Sequence, residues 1–277
     1  MLQTRLTGHL QTAGYPTPDD VIHLFIGGSE LHGAKVGATD DLDLYGVFVE
    51  QPEEALGLTP RPHFIWSTAT DDRRNGPEDV DITLYSLRRW AHLAAKGNAT
   101  ALHFLFASAT SVSSPAWNRI QASTGLFLAK HSADQFLGFA DNQYKRIRGE
   151  AGRGKKGRRP EYECIHGYDT KAAMHCLRLY LECAELMREG HITLPRPERD
   201  LLIQVRQGHY TLEQFEELCL DLRNQAEQSA LLSSLPDAID QRLVSELIAG
   251  VHRAFWLERD APVGTNSQSE LSMQEQQ

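Results

Sequence analysis

Two short apolar runs, VIHLFI at 21–26 and LDLYGVFV at 42–49, are separated by a glycine pair and a cluster of aspartates. No other part of the chain narrows the fold as much. The first run stops at Gly27-Gly28, which reads as a buried strand followed by a tight turn. Residues 29–36 suit a short helix, and 42–49 is rich in strand formers. A third run, VDITLY at 80–85, repeats the strand pattern after a Pro- and Gly-rich excursion. Together these runs predict a small mixed sheet.

Beyond residue 86 the apolar spacing becomes helical. SLRRWAHLAAKGN and ATALHFLFA predict two helices broken at Gly97-Asn98. After residue 132 the chain reads almost entirely as helix, in SADQFLGFADNQYKRIRGE, YDTKAAMHCLRLYLECAELMREG, TLEQFEELCLDLRNQAEQSALL and DQRLVSELIAGVHRAFWLERD. TLPRPERDLL, at 193–202, reads as a rigid connector and a helix start. The predicted fold class is α/β of the α+β kind: a small mixed-sheet domain over 1–130, a helical bundle over 131–262, and a disordered tail at 263–277 that lacks periodicity.

At 277 residues the chain has room for two domains, each with its own core. A net charge of -9 argues against a surface that coats nucleic acid or anionic membrane as a whole. Cys164, Cys176, Cys183 and Cys219 show no C-x-x-C spacing, so a reducing compartment, the cytoplasm, is expected. The amino terminus is polar and no run of eighteen apolar residues occurs, so no membrane span is expected.

A strand that stops at Gly27-Gly28-Ser29 and turns into a helix points backbone N–H groups outward, an arrangement suited to phosphate. Alone, such a sequence is most often only a turn. Asp41 and Asp43, two apart at a strand start, share one face by the period of a strand. Adjacent carboxylates repel unless a cation lies between them, and Mg²⁺, with Mn²⁺ as a substitute, takes such oxygen ligands. Asp81, one residue into the next strand, supplies a third carboxylate, and Asp79, with the same facing, competes for that place. The plainer alternative makes Asp40, Asp41 and Asp43 a solvated turn; the glycine turn upstream argues against it.

Between 144 and 161, YKRIRGEAGRGKKGRRPE sets eight basic residues against two acidic ones. This segment suits a phosphate backbone, or else is a solvated linker. Lys171, His175, Arg178 and Glu182 form one polar helix stripe, of a kind that is ordinary when exposed, opposite a core stripe of Ala172, Cys176, Leu179 and Cys183. His103 stands in an apolar run and reads as a core histidine; Tyr162, Tyr168 and Trp90 read as packing before base stacking. Cys164, His166, His175 and Cys176 match no common zinc spacing.

Gly28-Ser29, Asp41-x-Asp43 and the distal Asp81 together resemble the nucleotidyltransferases of the DNA polymerase β superfamily. More narrowly, GGSELHGAKVGATDDLDLYGVFV, VDITLYSLRRWAHLAAKGN and GYDTKAAMHCLRLYLECAELMREG resemble the bacterial and phage group that includes RNA-repair-associated polymerase-β-like proteins, over roughly 21–220. Asp40, Ala99 and His103 stand where that group often has serine, proline and glutamate; because the three aspartates are intact, these departures bear on substrate choice more than on catalytic competence.

The resemblance implies an NTP whose terminal phosphates rest on Gly27, Gly28 and Ser29, with Mg²⁺ held by Asp41 and Asp43. It implies that Asp81 completes a second metal site and helps deprotonate an acceptor hydroxyl, and that Lys171, His175 and Arg178 contact the triphosphate or acceptor. NMP would pass to the hydroxyl with release of pyrophosphate. An RNA end, bound through the 145–159 basic loop, is the favoured acceptor over a protein or a small molecule. A different class, a non-catalytic nucleotide- or RNA-binding regulatory module of antitoxin type, conflicts with the three intact aspartates.

Overall fold

The computed structural model describes residues 2–37, 41–69, 76, 78–107, 112–150 and 160–260. Asp40, residues 151–159 of the basic segment and the tail at 263–277 lie outside the described residues. The strands are β1 (Val21–Ile26), β2 (Leu42–Phe48), β3 (His63–Ser67), β4 (Val80–Ser86) and the two-residue β5 (Val112–Ser113). They form one mixed sheet in the order β3-β4-β2-β1-β5. β2 and β4 are parallel, which sets Asp43 opposite Asp81, and the other pairs are antiparallel.

One face of the sheet is covered by α1 (Leu2–Thr12), where Leu6 and Leu10 join Leu24, Leu44, Ile82 and Leu84 in a buried cluster. Burial of two leucines on one helix face contributes about 1.5–3 kcal/mol each. In sequence the leucines at 2, 6 and 10 recur at helical spacing, but polar residues and glycine fill the positions between them and the segment as a whole is polar. β3 and α3 (Pro52–Leu56) lie within the Pro- and Gly-rich excursion between the second and third strand-like runs. In β3 the burial alternates, with Phe64 and Trp66 turned toward the cluster, and α3 starts with a capping box between Gln51 and Glu54.

The other face carries α4 (Leu87–Ala95), α5 (Ala99–Phe106) and α6 (Pro115–Gln121). Gly97 separates α4 from α5 at φ +73°, and the Asn98 side chain accepts from Ala101 N–H to cap α5, as the Gly-Asn break predicts. The helical half follows: α7 (His131–Ile147), α8 (Pro160–His166), α9 (Thr170–Glu189), α10 (Arg199–Arg206), α11 (Leu212–Leu232) and α12 (Gln241–Asp260).

α9 packs against α7, α10 and α11, so almost its whole circumference is buried. The polar stripe is therefore not an ordinary exposed one: Arg178 and Glu182 are both buried. α12 returns to α4 and α6. There Trp256 Nε1 donates to Glu50 O at 2.9 Å, and His252 Nε2 meets Glu50 Oε2 at 2.9 Å. A single apolar cluster therefore runs from Phe25 and Val47 through Trp90 and Phe104 to Leu179, Phe215 and Val251. Among the described residues, no helix is long and apolar enough to cross a membrane.

Candidate functional site

β1 ends where Gly27 N–H donates to Asp43 O at 2.8 Å. Both glycines are required by close approach. A Cβ at 27 would overlap the Tyr45 ring, and one at 28, where φ is +56°, would stand 2.8 Å from Asp43 Cγ. The helix after the turn, α2 (Gly28–Leu31), has four residues and ends before Gly33 at φ +67°. It is shorter than the expected 29–36, so its dipole is small, and the turn geometry does most to present Ser29.

One carboxylate oxygen each from Asp41, Asp43 and Asp81 lie within 4.8 Å of one another, all three residues being half-buried. The parallel pairing of β2 and β4 brings Asp81 there. Asp79 is used elsewhere: its carboxylate accepts from Thr68 Oγ1 at 2.9 Å and Gly76 N–H at 2.7 Å, closing the turn ahead of β4. Three clustered carboxylates, one seated against the bare Cα of Gly28, offer the hard oxygen donors that Mg²⁺ or Mn²⁺ takes.

A cleft of about 310 Å³ opens beside these groups. Gly28, Ser29, Asp41 and Asp43 line it together with Lys171, His175 and Arg178 of α9, and Tyr45, Phe104 and Phe139 add aromatic wall. Gly27 and Asp81 stand just behind the lining, in the turn and the carboxylate cluster. Burial, reinforced by Asp43, raises the Tyr45 phenol well above its ordinary range, so Tyr45 is neutral and no base at physiological pH. Phe139 is 41% exposed at the cleft, and in sequence it belongs to the ordinary apolar pattern of α7, which carries no signal of a site.

Along α9 the polar stripe runs from the cleft into the interior. Lys171 and His175 are half-buried, Arg178 and Glu182 buried. Glu182 Oε1 lies 3.1 Å from Arg178 Nη1 and 3.1 Å from His32 Nδ1, and its Oε2 lies 3.0 Å from His103 Nε2. Burial would raise the Glu182 pKa, but Arg178, His103 and His32 outweigh it and hold the carboxyl well below its usual range. Burial, with Arg178 adding to it, lowers His32 to about 3. Its ring is neutral: Nδ1–H donates to Glu182 and Nε2 accepts from Arg178 Nη1 at 2.5 Å.

His103 is a satisfied core histidine as expected, and its partner is the Glu182 carboxylate. The role of His32 had no local signal at all, since its partners Arg178 and Glu182 lie some 150 residues away. Tyr168 and Trp90 are packing residues, donating to Tyr210 O and Ala101 O. Of the basic segment, Arg148 pairs with Glu216 at 2.7 Å and Arg146 lies 4.0 Å from Asp169.

A family model described as RlaP, RNA repair pathway DNA polymerase beta family, matches residues 2–264. The chain belongs to this family. Membership in the RNA repair pathway DNA polymerase beta family implies a nucleotidyltransferase, and the mixed sheet followed by helices is its polymerase-β-like fold. The Asp41/Asp43/Asp81 cluster is an acidic triad of the kind that binds metal in polymerase-β proteins. Among solved structures, a nucleotidyltransferase-like protein from Exiguobacterium sibiricum 255-15 matches at 12% identity, over 95% of this chain and 81% of that one, with a TM-score of 0.30. No curated protein matches the chain.

Proposed function

We propose that this protein transfers a nucleoside monophosphate from an NTP to an acceptor hydroxyl, releasing pyrophosphate, and that an RNA end is the favoured acceptor. One observation carries the reading: a single cleft is lined by the glycine turn, by Asp41 and Asp43 with Asp81 behind them, and by Lys171, His175 and Arg178.

Asp41, Asp43 and Asp81 would hold Mg²⁺, or Mn²⁺ in its place, which when bound supplies positive charge against the triphosphate and the attacking oxygen. The Gly28-Ser29 turn presents backbone and hydroxyl donors for the terminal phosphates. Lys171 and Arg178 bring fixed cations to the anionic oxygens, and His175 adds a donor. The acceptor oxygen attacks the α-phosphorus, the bond to the β-phosphate oxygen breaks, and the hydroxyl proton passes to Asp81. The half-exposed Phe139 ring offers a face on which a base can stack. The basic segment at 144–161 and the RNA repair context of the family support RNA as acceptor.

The test is pyrophosphate release with each of the four NTPs and Mg²⁺, with and without a small-RNA pool, for wild type and Asp41→Ala/Asp43→Ala. RNA-dependent release that disappears in the variant is expected. Release without RNA redirects the acceptor to a protein or small molecule. Nucleotide binding with no release under any condition means a non-catalytic binding module.

A further inference from the structure

Glu182 takes no part in the chemistry above, yet it is fully buried beside the cleft. An ionised carboxylate in such a place is costly unless charge and hydrogen bonds compensate. Arg178, one turn earlier on α9, supplies the charge, and His32 and His103 supply further bonds. These partners arrive from three separate places: the loop after the glycine turn, α5 and α9. The same loop is fastened twice more from the helical half, by Arg196 N–H to His32 O at 3.2 Å and Arg206 Nη1 to Ala34 O at 2.9 Å.

Arg178 is bound through one nitrogen, Nη1, to both His32 and Glu182. Because the guanidinium is planar, anchoring one nitrogen at two points orients the whole group and its other N–H donors. An arginine that a ligand must order loses rotamer freedom on binding; one already ordered in the fold does not lose it again. His32, His103 and Glu182 are also close enough to hold an ion, but the Arg178 guanidinium already stands in the cation's place.

We propose that Glu182 is a positioning residue for nucleotide binding. With His32 and His103 it holds the Arg178 guanidinium at the cleft, preset to receive the anionic oxygens of a nucleoside triphosphate. This rests on the nucleotidyltransferase reading.

The test is calorimetric titration of inorganic tripolyphosphate and of each NTP, with Mg²⁺, into wild type, Arg178→Ala, Glu182→Gln and the double variant, with folding checked by circular dichroism. Expected are losses of tenfold or more in affinity for both single variants, and a double variant no weaker than Arg178→Ala, because Glu182 acts through Arg178. His103→Gln, which keeps a hydrogen-bonding side chain, stands in if Glu182→Gln does not fold, and is judged by the same comparisons. Unchanged affinity in a folded but less stable Glu182→Gln overturns the proposal, as do additive losses. So does stoichiometric zinc in wild type that the variant lacks. A wild type that binds no triphosphate at all overturns the nucleotide reading itself, and this proposal with it.

Discussion

Gly28 and Asp43 occupy a shared space: a Cβ at residue 28 would sit 2.8 Å from the carboxylate carbon of Asp43. The glycine turn and the carboxylate are thus one structural unit, with the turn backbone closed on Asp43 O through Gly27 N–H. Gly28→Ala places a side chain at φ +56°, costing about 1–2 kcal/mol, and also displaces the carboxylate. The expected result is a fall of several degrees in Tm together with a loss of tenfold or more in turnover. Thermal melts and pyrophosphate release read the two effects, and full activity in Gly28→Ala would show that Asp43 tolerates displacement.

The carboxylate cluster should reveal itself without any turnover. Three carboxylates whose oxygens lie within 4.8 Å repel one another, so neutralising one relieves strain while removing a ligand. Asp43→Asn is expected to melt at or above the wild-type temperature in chelator. Added Mg²⁺ or Mn²⁺ should raise the Tm of wild type but leave the variant unmoved. Equal shifts in both proteins would place the cation elsewhere.

Glu50 ties the sheet to α12 and predicts an acid-sensitive joint. Burial pushes its carboxyl up, but the bond to His252 and further hydrogen bonds prevail, so the folded pKa is lowered. A carboxylate depressed by folding stabilises fully above its unfolded pKa, about 4.3, and loses that contribution as pH falls through the folded value. Tm measured from pH 7 down to pH 3 should therefore fall in that acid range. Glu50→Gln should begin lower at pH 7 and show a shallower fall, and parallel curves would remove Glu50 from the account.

Arg196 is buried and reaches both Glu185 and Glu198, the latter at 2.8 Å from Nη2. Glu185 also accepts from Thr193 N–H at 3.1 Å, so the group fastens the connector between α9 and α10. Arg196→Ala leaves the buried Glu185 without its cation and should cost about 3–5 kcal/mol. Urea unfolding measures this. A cost below about 1 kcal/mol would make the pair equivalent to a surface bridge.

The basic segment makes a prediction from charge alone, since residues 151–159 lie outside the described residues. Changing Lys155, Lys156, Arg158 and Arg159 to Gln should weaken binding to single-stranded RNA and flatten its dependence on log salt by up to about 3 in slope. An unchanged slope would return the segment to the role of linker.

What the sequence determined by itself is what local periodicity and local chemistry encode. A period of two puts Asp41 and Asp43 on one face, Gly27-Gly28 marks the end of β1, Gly97-Asn98 breaks α4 from α5, and helical spacing marks α7, α9, α11 and α12. Each of these depends on residues within a turn or two of one another. The tertiary structure alone decided which partners meet. The parallel register of β2 and β4 chose Asp81 for the cluster and left Asp79 to a turn. Packing on several sides of α9 buried the inner end of its polar stripe, where Glu182 holds His32 and His103. A helical stripe looks the same in sequence whether it meets water or charge of the opposite sign, because the period records which residues share a face and carries nothing about what that face meets.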